Sequence, residues 1–211
     1  SGIALITVSK DGRNTIIVAA GANSHVTPEL VRANQAQIEN ADALMLQMEI
    51  PIEASLEAAR IARSSDTQVF LNPAPVGPFP EELIPLCDYM TPNESELAEL
   101  TGTSDVEAGV RELLNRGVRR VCVTLGAEGA VVQDGGASYT GEAVCGITAV
   151  DTTAAGDAFN AALVVALGRG ESVDEALTFA NAVGALTVSK HGAQPSLPTR
   201  DEVEAFLGRS T

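Results

Sequence analysis

Tryptophan is absent and aromatic residues make up 3% of the 211-residue chain, so the core has to be built from Ala, Val, Leu and Ile. Cysteine is scarce. Cys87, Cys122 and Cys145 are odd in number and widely spaced, which excludes a disulfide framework, and their apolar neighbours mark all three as buried thiols of a reducing cytoplasm. The two histidines, His25 and His191, have no partner in view and offer no catalytic pair. No apolar run is long enough to span a membrane, and Ser1-Gly2-Ile3 is no signal peptide. Positive charge is short as well: 13 Lys and Arg stand against 28 Asp and Glu, for a formal net charge of −15. That balance speaks against nucleic acid and against anionic membrane surfaces, both of which need clustered cations.

What is present is a hydrophobic share of 45%, enough for one domain over 1–211 with a substantial core. Ile3–Val8 and Thr15–Ala20, joined by Lys10-Asp11-Gly12-Arg13-Asn14, predict a β-hairpin. A helix is expected from Pro28 with Thr27 as its cap, then a strand over Ala43–Met48, a helix over Ile52–Ala62 and a strand over Gln68–Leu71. Pro73–Pro80 is too rich in proline for a ladder and reads as a loop. Further on come a short strand Tyr89–Thr91, helices Glu94–Leu100 and Asp105–Asn115, a strand Arg120–Thr124, and an antiparallel pair Ala130–Gln133 and Ala137–Thr140. The chain closes with helices Ala155–Leu167, Val173–Ser189 (capped by Ser172) and Arg200–Leu207. Strands alternating with helices of this length imply a three-layer α/β/α sandwich around a mostly parallel, Rossmann-like sheet.

The heptapeptide Asp151-Thr152-Thr153-Ala154-Ala155-Gly156-Asp157 carries the most chemistry. Small residues from Thr153 to Gly156 let the backbone turn tightly and expose its amides at the start of an apolar helix, where unpaired N–H groups and partial positive charge favour phosphate. Asp157 in that first turn puts a proton acceptor beside the anion hole, the arrangement for attack of a hydroxyl on a γ-phosphoryl group; as an isolated feature it reads first as a helix cap. Glu49 follows a strand, at the end of the sheet where open α/β folds bind ligands, or is a solvated helix-entry residue. Asn93 and Glu96 face the same side of a first helical turn and also fit a capping box. Taken by itself, Thr124-Leu125-Gly126-Ala127-Glu128-Gly129 is a generic turn, and there is neither a Walker A lysine nor a kinase Gly-rich loop.

The segment DTTAAGDAFNAAL over 151–163 resembles the signature of the ribokinase-like (PfkB) carbohydrate kinases. Asn72-Pro73-Ala74-Pro75, Thr91-Pro92-Asn93-Glu94-Ser95-Glu96, the 124–129 turn and Ser189-Lys190-His191-Gly192-Ala193-Gln194-Pro195-Ser196 follow the same family in its order. Ala154 stands where many members have glycine. The resemblance implies an ATP-dependent sugar kinase, D-ribose first and a fructokinase, deoxyribokinase or nucleoside kinase as in-class alternatives. A nucleotide-binding module without turnover, or a structural remnant, are the readings outside that class. It implies Asp157 as catalytic base with the amides of Ala154, Ala155 and Gly156, and Glu49 with Asp157 as sugar ligands. The nucleotide falls to Asn93, Thr124, Leu125, Gly126, Ala127, Glu128, Gly129, Gly156, Asp157 and, against the adenine, Asn181, which could also be a surface residue of its helix. Glu96 would act on Mg²⁺ through water, and Asp151, Thr153, Thr187, Lys190, Gly192 and Ser196 would surround K⁺. The family's opening strand and Gly-Gly-Lys-Gly-type sugar loop are not found, so the chain is expected to lack the first third of a family member, the 3–20 hairpin adjoining its lid. The full-length protein is expected to be a cytoplasmic homodimer.

Overall fold

The computed structural model describes residues 2–8, 14–78 and 80–208. Its first unit is a two-stranded antiparallel sheet of β1 (Ile3–Val8) and β2 (Asn14–Ala19), in which Leu5 lies opposite Ile17. The turn expected at Lys10–Arg13 lies outside the described residues, as does Phe79 of the proline-rich loop.

The second sheet has six strands in the order in which they follow along the chain. These are β3 (Ala43–Leu46), β4 (Gln68–Leu71), β5 (Tyr89–Met90), β6 (Arg120–Thr124), β7 (Ala130–Asp134) and β8 (Ser138–Gly141). The first four are parallel and the last two add as an antiparallel edge. An isolated parallel bridge between Asn93 and Thr124 carries the β5–β6 pairing past the end of β5.

Helices cover both faces, and the alternation of side chains explains why the strands read as unbroken apolar runs. Leu46, Val69, Leu71, Met90, Val121 and Val123 point to one layer. That layer consists of α1 (Pro28–Ala33), α2 (Gln35–Glu39), α3 (Ile52–Ser64), α4 (Glu94–Thr101) and α5 (Val106–Asn115). Their neighbours Met45, Phe70, Tyr89 and Cys122 point to the other layer, made by α6 (Ala155–Gly168), α7 (Val173–Val188) and α8 (Arg200–Phe206). Small residues on α6 and α7, among them Ala162, Ala166, Ala180 and Ala182, bring these two helices close without large side chains. At the amino ends of the strands Asp88 is buried but fully engaged: it accepts from the Val69 amide and from Arg63 and Arg119.

Local signals hold up at the helix starts. Thr27 accepts from the Leu30 amide, and capping boxes join Asn93 to Glu96, Ser172 to Glu175 and Thr199 to Glu202. Most boundaries shift by one or two residues from expectation, and two of the differences have a visible cause. The helix from Pro28 breaks at Asn34, whose side-chain amide donates to the Leu30 carbonyl and competes with the helical ladder. The strand from Ala43 ends at Leu46, because Met48 donates instead to Ala74 of the proline-rich loop.

Candidate functional site

Two helix starts and one tight turn meet at the carboxyl ends of the strands. α6 begins at Ala154, which adopts a left-handed conformation (φ 62°, ψ 9°) and provides no side-chain cap. Asp157 therefore is not the helix cap, and that alternative is set aside. Ala155 donates to the Thr152 carbonyl, whereas the amides of Gly156 and Asp157 have no acceptor among the described residues. The Asp157 carboxylate is exposed and likewise has no hydrogen-bond or ion-pair partner among them. Space around the Gly156 Cα is open to 4 Å, so the start of α6 is a set of unused donors that a ligand can approach.

An open cleft of about 630 Å³ lies against this helix start. Of the expected nucleotide residues, Asn93, Thr124, Gly126, Ala127, Gly129, Gly156 and Asn181 line it, together with Ala155. Leu125 does not; it is half-buried against the core on the α1–α5 side of the sheet. Glu128, exposed in the short turn 126–128, and Asp157, exposed in the first turn of α6, are also outside the lining. Gly129 (φ 92°, ψ −134°) occupies backbone space that a side chain cannot share, because a Cβ there would run into the Gly141 carbonyl. Asn181 is buried rather than on the helix surface. Its Nδ2 donates to the Glu142 carbonyl at 3.1 Å, and a Cβ on Gly141 would reach that nitrogen at 2.7 Å.

The apolar half of the cleft came from residues not assigned to the site from the sequence, although Phe159 lies within the 151–163 signature. Phe159 of α6, Ala185 and Val188 of α7, and Val144, Ile147 and Ala149 of the loop after β8 form it. Asn181, Gly184, Ala185 and Val188 fall on one face of α7, so helical periodicity could have found that wall. The loop carries no such period and could not be read.

Asn93 and Glu96 form the capping box: Asn93 Oδ1 accepts from the Glu96 amide at 2.9 Å and Glu96 Oε2 from the Asn93 amide at 2.8 Å. Burial pushes the Glu96 carboxyl up, partly offset by that amide bond. Glu96 stands behind Asn93, Glu94 and Ser95, which reach the cleft themselves. No cluster of three or more His, Cys, Asp or Glu able to hold a metal exists among the described residues, and none of the residues lining the cleft is Lys or Arg. A phosphate chain here finds helix termini and backbone amides rather than cationic side chains.

The loops beside the start of α6 are stitched together through Asp151. Its Oδ1 accepts from the Thr153 amide and its Oδ2 from the Gly192 amide, both at 2.9 Å, while Val150 and Asp151 donate to the Val188 carbonyl. The Thr153 side chain, then the Gly192 and Thr153 amides, hold this carboxyl down at about 2. Thr187 and Ser196 are buried in the same neighbourhood, and Lys190 turns its ammonium away to Glu202. Glu49 is exposed in the bend after β3, three residues past the strand end. Of the cysteines, Cys87 and Cys122 are buried and pushed up to about 12 by desolvation, but Cys145 is exposed, correcting the expectation of three buried thiols. Its loop turns at Gly146 (φ 83°) and leaves the chain no sheet or helix to bury it.

Among the described residues no helix is long and apolar enough to cross a membrane. The model of the pfkB family carbohydrate kinases matches residues 1–200. Over 98% of its length the chain is 42% identical to the ribokinase of Haemophilus influenzae, of which it covers 69%. A crystal structure of the ribokinase of Thermotoga maritima superposes with a TM-score of 0.89 at 39% identity, covering 99% of this chain and 70% of that one. The structure of Arabidopsis thaliana ribokinase complexed with ribose and ATP gives a TM-score of 0.92 at 34% identity, with 99% and 70% covered.

Proposed function

The chain belongs to the pfkB family of carbohydrate kinases, and from that premise we propose that it forms the nucleotide-binding and catalytic part of an ATP-dependent ribokinase acting on D-ribose. The uncapped start of α6, with Asp157 in its first turn and the cleft of the 126–129 turn beside it, is the observation that carries the reading. The primary hydroxyl oxygen of the sugar bonds to the γ-phosphorus, and the bond from that phosphorus to the β–γ bridging oxygen breaks. ADP leaves with the electron pair, and the hydroxyl proton passes to the Asp157 carboxylate. Amides of the 154–157 turn, those of Gly156 and Asp157 above all, hold the charge of the transferring phosphoryl group. Glu49 accepts a hydrogen bond from a sugar hydroxyl.

With no Lys or Arg in the cleft lining, the triphosphate needs an external cation. Mg²⁺, when bound, supplies charge compensation on the phosphates, and Asn93 and Glu96 would hold its water shell. K⁺ would sit among Asp151, Thr153, Thr187, Lys190, Gly192 and Ser196, where the carboxylate stays ionised and keeps the loops next to α6 in place. The remaining sugar contacts are assigned to a preceding segment of a longer, cytoplasmic, homodimeric protein of one domain, with β1 and β2 adjoining its lid; the exposed Ile3, Leu5, Ile17 and Val18 support that placement.

The test is ribose-dependent ADP release by the longer protein and by its Asp157→Ala variant. The variant is expected to lose ~10²–10⁴-fold in kcat while ADP affinity changes by no more than a few-fold, since the helix amides remain. Near-parental kcat in the variant would remove Asp157 from the chemistry.

A further inference from the structure

Of the described residues lining the cleft, Glu94 is the one with a charged side chain, and its charge has the sign of a phosphate. Glu94 is exposed at the first position of α4, with no hydrogen-bond or ion-pair partner among the described residues. Its neighbours are engaged with each other: Asn93 Oδ1 and Glu96 Oε2 each accept the other's backbone amide, which already caps the helix. A carboxylate in a first turn favours the helix dipole, but Glu96 supplies one there too. At physiological ionic strength the field of a fixed charge at a cleft wall extends about 8 Å, so Glu94 needs no contact to act on a phosphate chain. There is no cage of three or more His, Cys, Asp or Glu among the described residues. A lone carboxylate suits Mg²⁺, which keeps several waters and takes one or two carboxylates together with phosphate oxygens.

We propose that Glu94 is a specificity-determining residue: its carboxylate makes the cleft favour the Mg²⁺ complex of a nucleoside di- or triphosphate over the metal-free polyanion. The inference rests on the nucleotide reading of the cleft and deepens it. No described side chain of the lining offsets the repulsion between Glu94 and a free ADP carrying its full charge. A divalent cation on the phosphates lowers that repulsion and gives the carboxylate an opposite charge to face, directly or through its water shell. Specificity is a difference of two affinities, and a single negative group weakens the wrong complex while it strengthens the right one.

The test is calorimetric titration of this chain with ADP, in Mg²⁺ and in EDTA at equal ionic strength. It compares the unsubstituted protein with Glu94→Gln, Glu94→Lys and Glu99→Gln. The last makes the same change in net charge as Glu94→Gln, from an exposed position on α4 outside the lining. The readout is the Mg²⁺ advantage, the Kd in EDTA divided by the Kd in Mg²⁺. It is expected to fall about three- to tenfold in Glu94→Gln, mainly because ADP in EDTA binds more tightly, and further in Glu94→Lys. Glu99→Gln is expected to leave it unchanged. A residue that only supported α4 would weaken ADP equally in both buffers and leave the ratio alone. An unchanged ratio in Glu94→Gln, or an equal fall in Glu99→Gln, would overturn the proposal. Absence of ADP binding by the unsubstituted chain in both buffers would instead remove the nucleotide reading, and this proposal with it.

Discussion

Ala154 and Gly129 were legible in the sequence because each is a small residue type that the local backbone demands; Asp157 was placed in the first turn of α6, and its role in the chemistry is a proposal. A run of small residues before a carboxylate announces a tight turn into a helix, and Ala154 does take the left-handed conformation that many relatives of the signature meet with glycine. Leu125 and Glu128 were assigned by motif membership alone, and neither reaches the cleft; within a four-residue turn, membership does not say which side chain points inward. The glycines of that turn differ in what they tolerate. Gly126 (φ 56°) has open space where a Cβ would go, so Gly126→Ala should cost only the left-handed penalty, roughly 1–2 kcal/mol. Gly129→Ala adds a collision with backbone to a glycine-only conformation and should cost roughly 2–5 kcal/mol and remove the advantage of ADP over adenosine. Urea titrations of the two variants check the order; equal losses would show that the collision is relieved by movement of β8.

Among the elements, the parallel strands and capped helices followed from periodicity and cap residues, and the uncapped start of α6 followed from the junction of loop and helix. The wall of the cleft was read only in part. Asn181 was marked, but its partners Ala185 and Val188 look like ordinary core positions of an apolar helix, and the loop 142–150 has no pattern that a sequence could display. Glu49 was read as the end of a strand, which stops earlier because the backbone of Met48 is captured by Ala74. The Asp151 junction belongs to this scale: one carboxylate ties 151–153 to 192 through two amides and borders the first turn of α6. If K⁺ orders these loops, sugar-dependent turnover of the longer protein rises far more with K⁺ than with Na⁺ at equal ionic strength. Equal rates in the two salts would remove the ion from the account.

For the whole molecule, the net charge of −15 and the cleft's lack of Lys and Arg leave helix starts with open amides as the groups proposed to receive a polyphosphate. Charge also sets the acid response. Asp151 falls from 3.8 and Glu202 from 4.5, each to about 2, the latter through the Thr199 amide first and Lys190 next. Their folded-state pKa values lie below the unfolded ones, so their stabilisation is complete above the ordinary carboxylate range and is lost as pH falls from about 4 toward 2, where the unfolded chain binds protons first. Urea midpoints should therefore drop between about pH 6 and pH 3, and by less in Asp151→Asn and Glu202→Gln, which remove the titrating groups. A drop of the same size in both variants would assign the acid response elsewhere.

The central claim is that the start of α6 receives the phosphates of an adenine nucleotide lying in the cleft. Calorimetric titration of this chain with ADP, adenosine and inorganic phosphate in the presence of Mg²⁺ tests it most directly. The account predicts ADP binding with a Kd of about 0.1–1 mM, at least tenfold tighter than adenosine, and loss of that advantage in Gly129→Ala. Equal affinity for ADP and adenosine, or no heat with ADP, would contradict it.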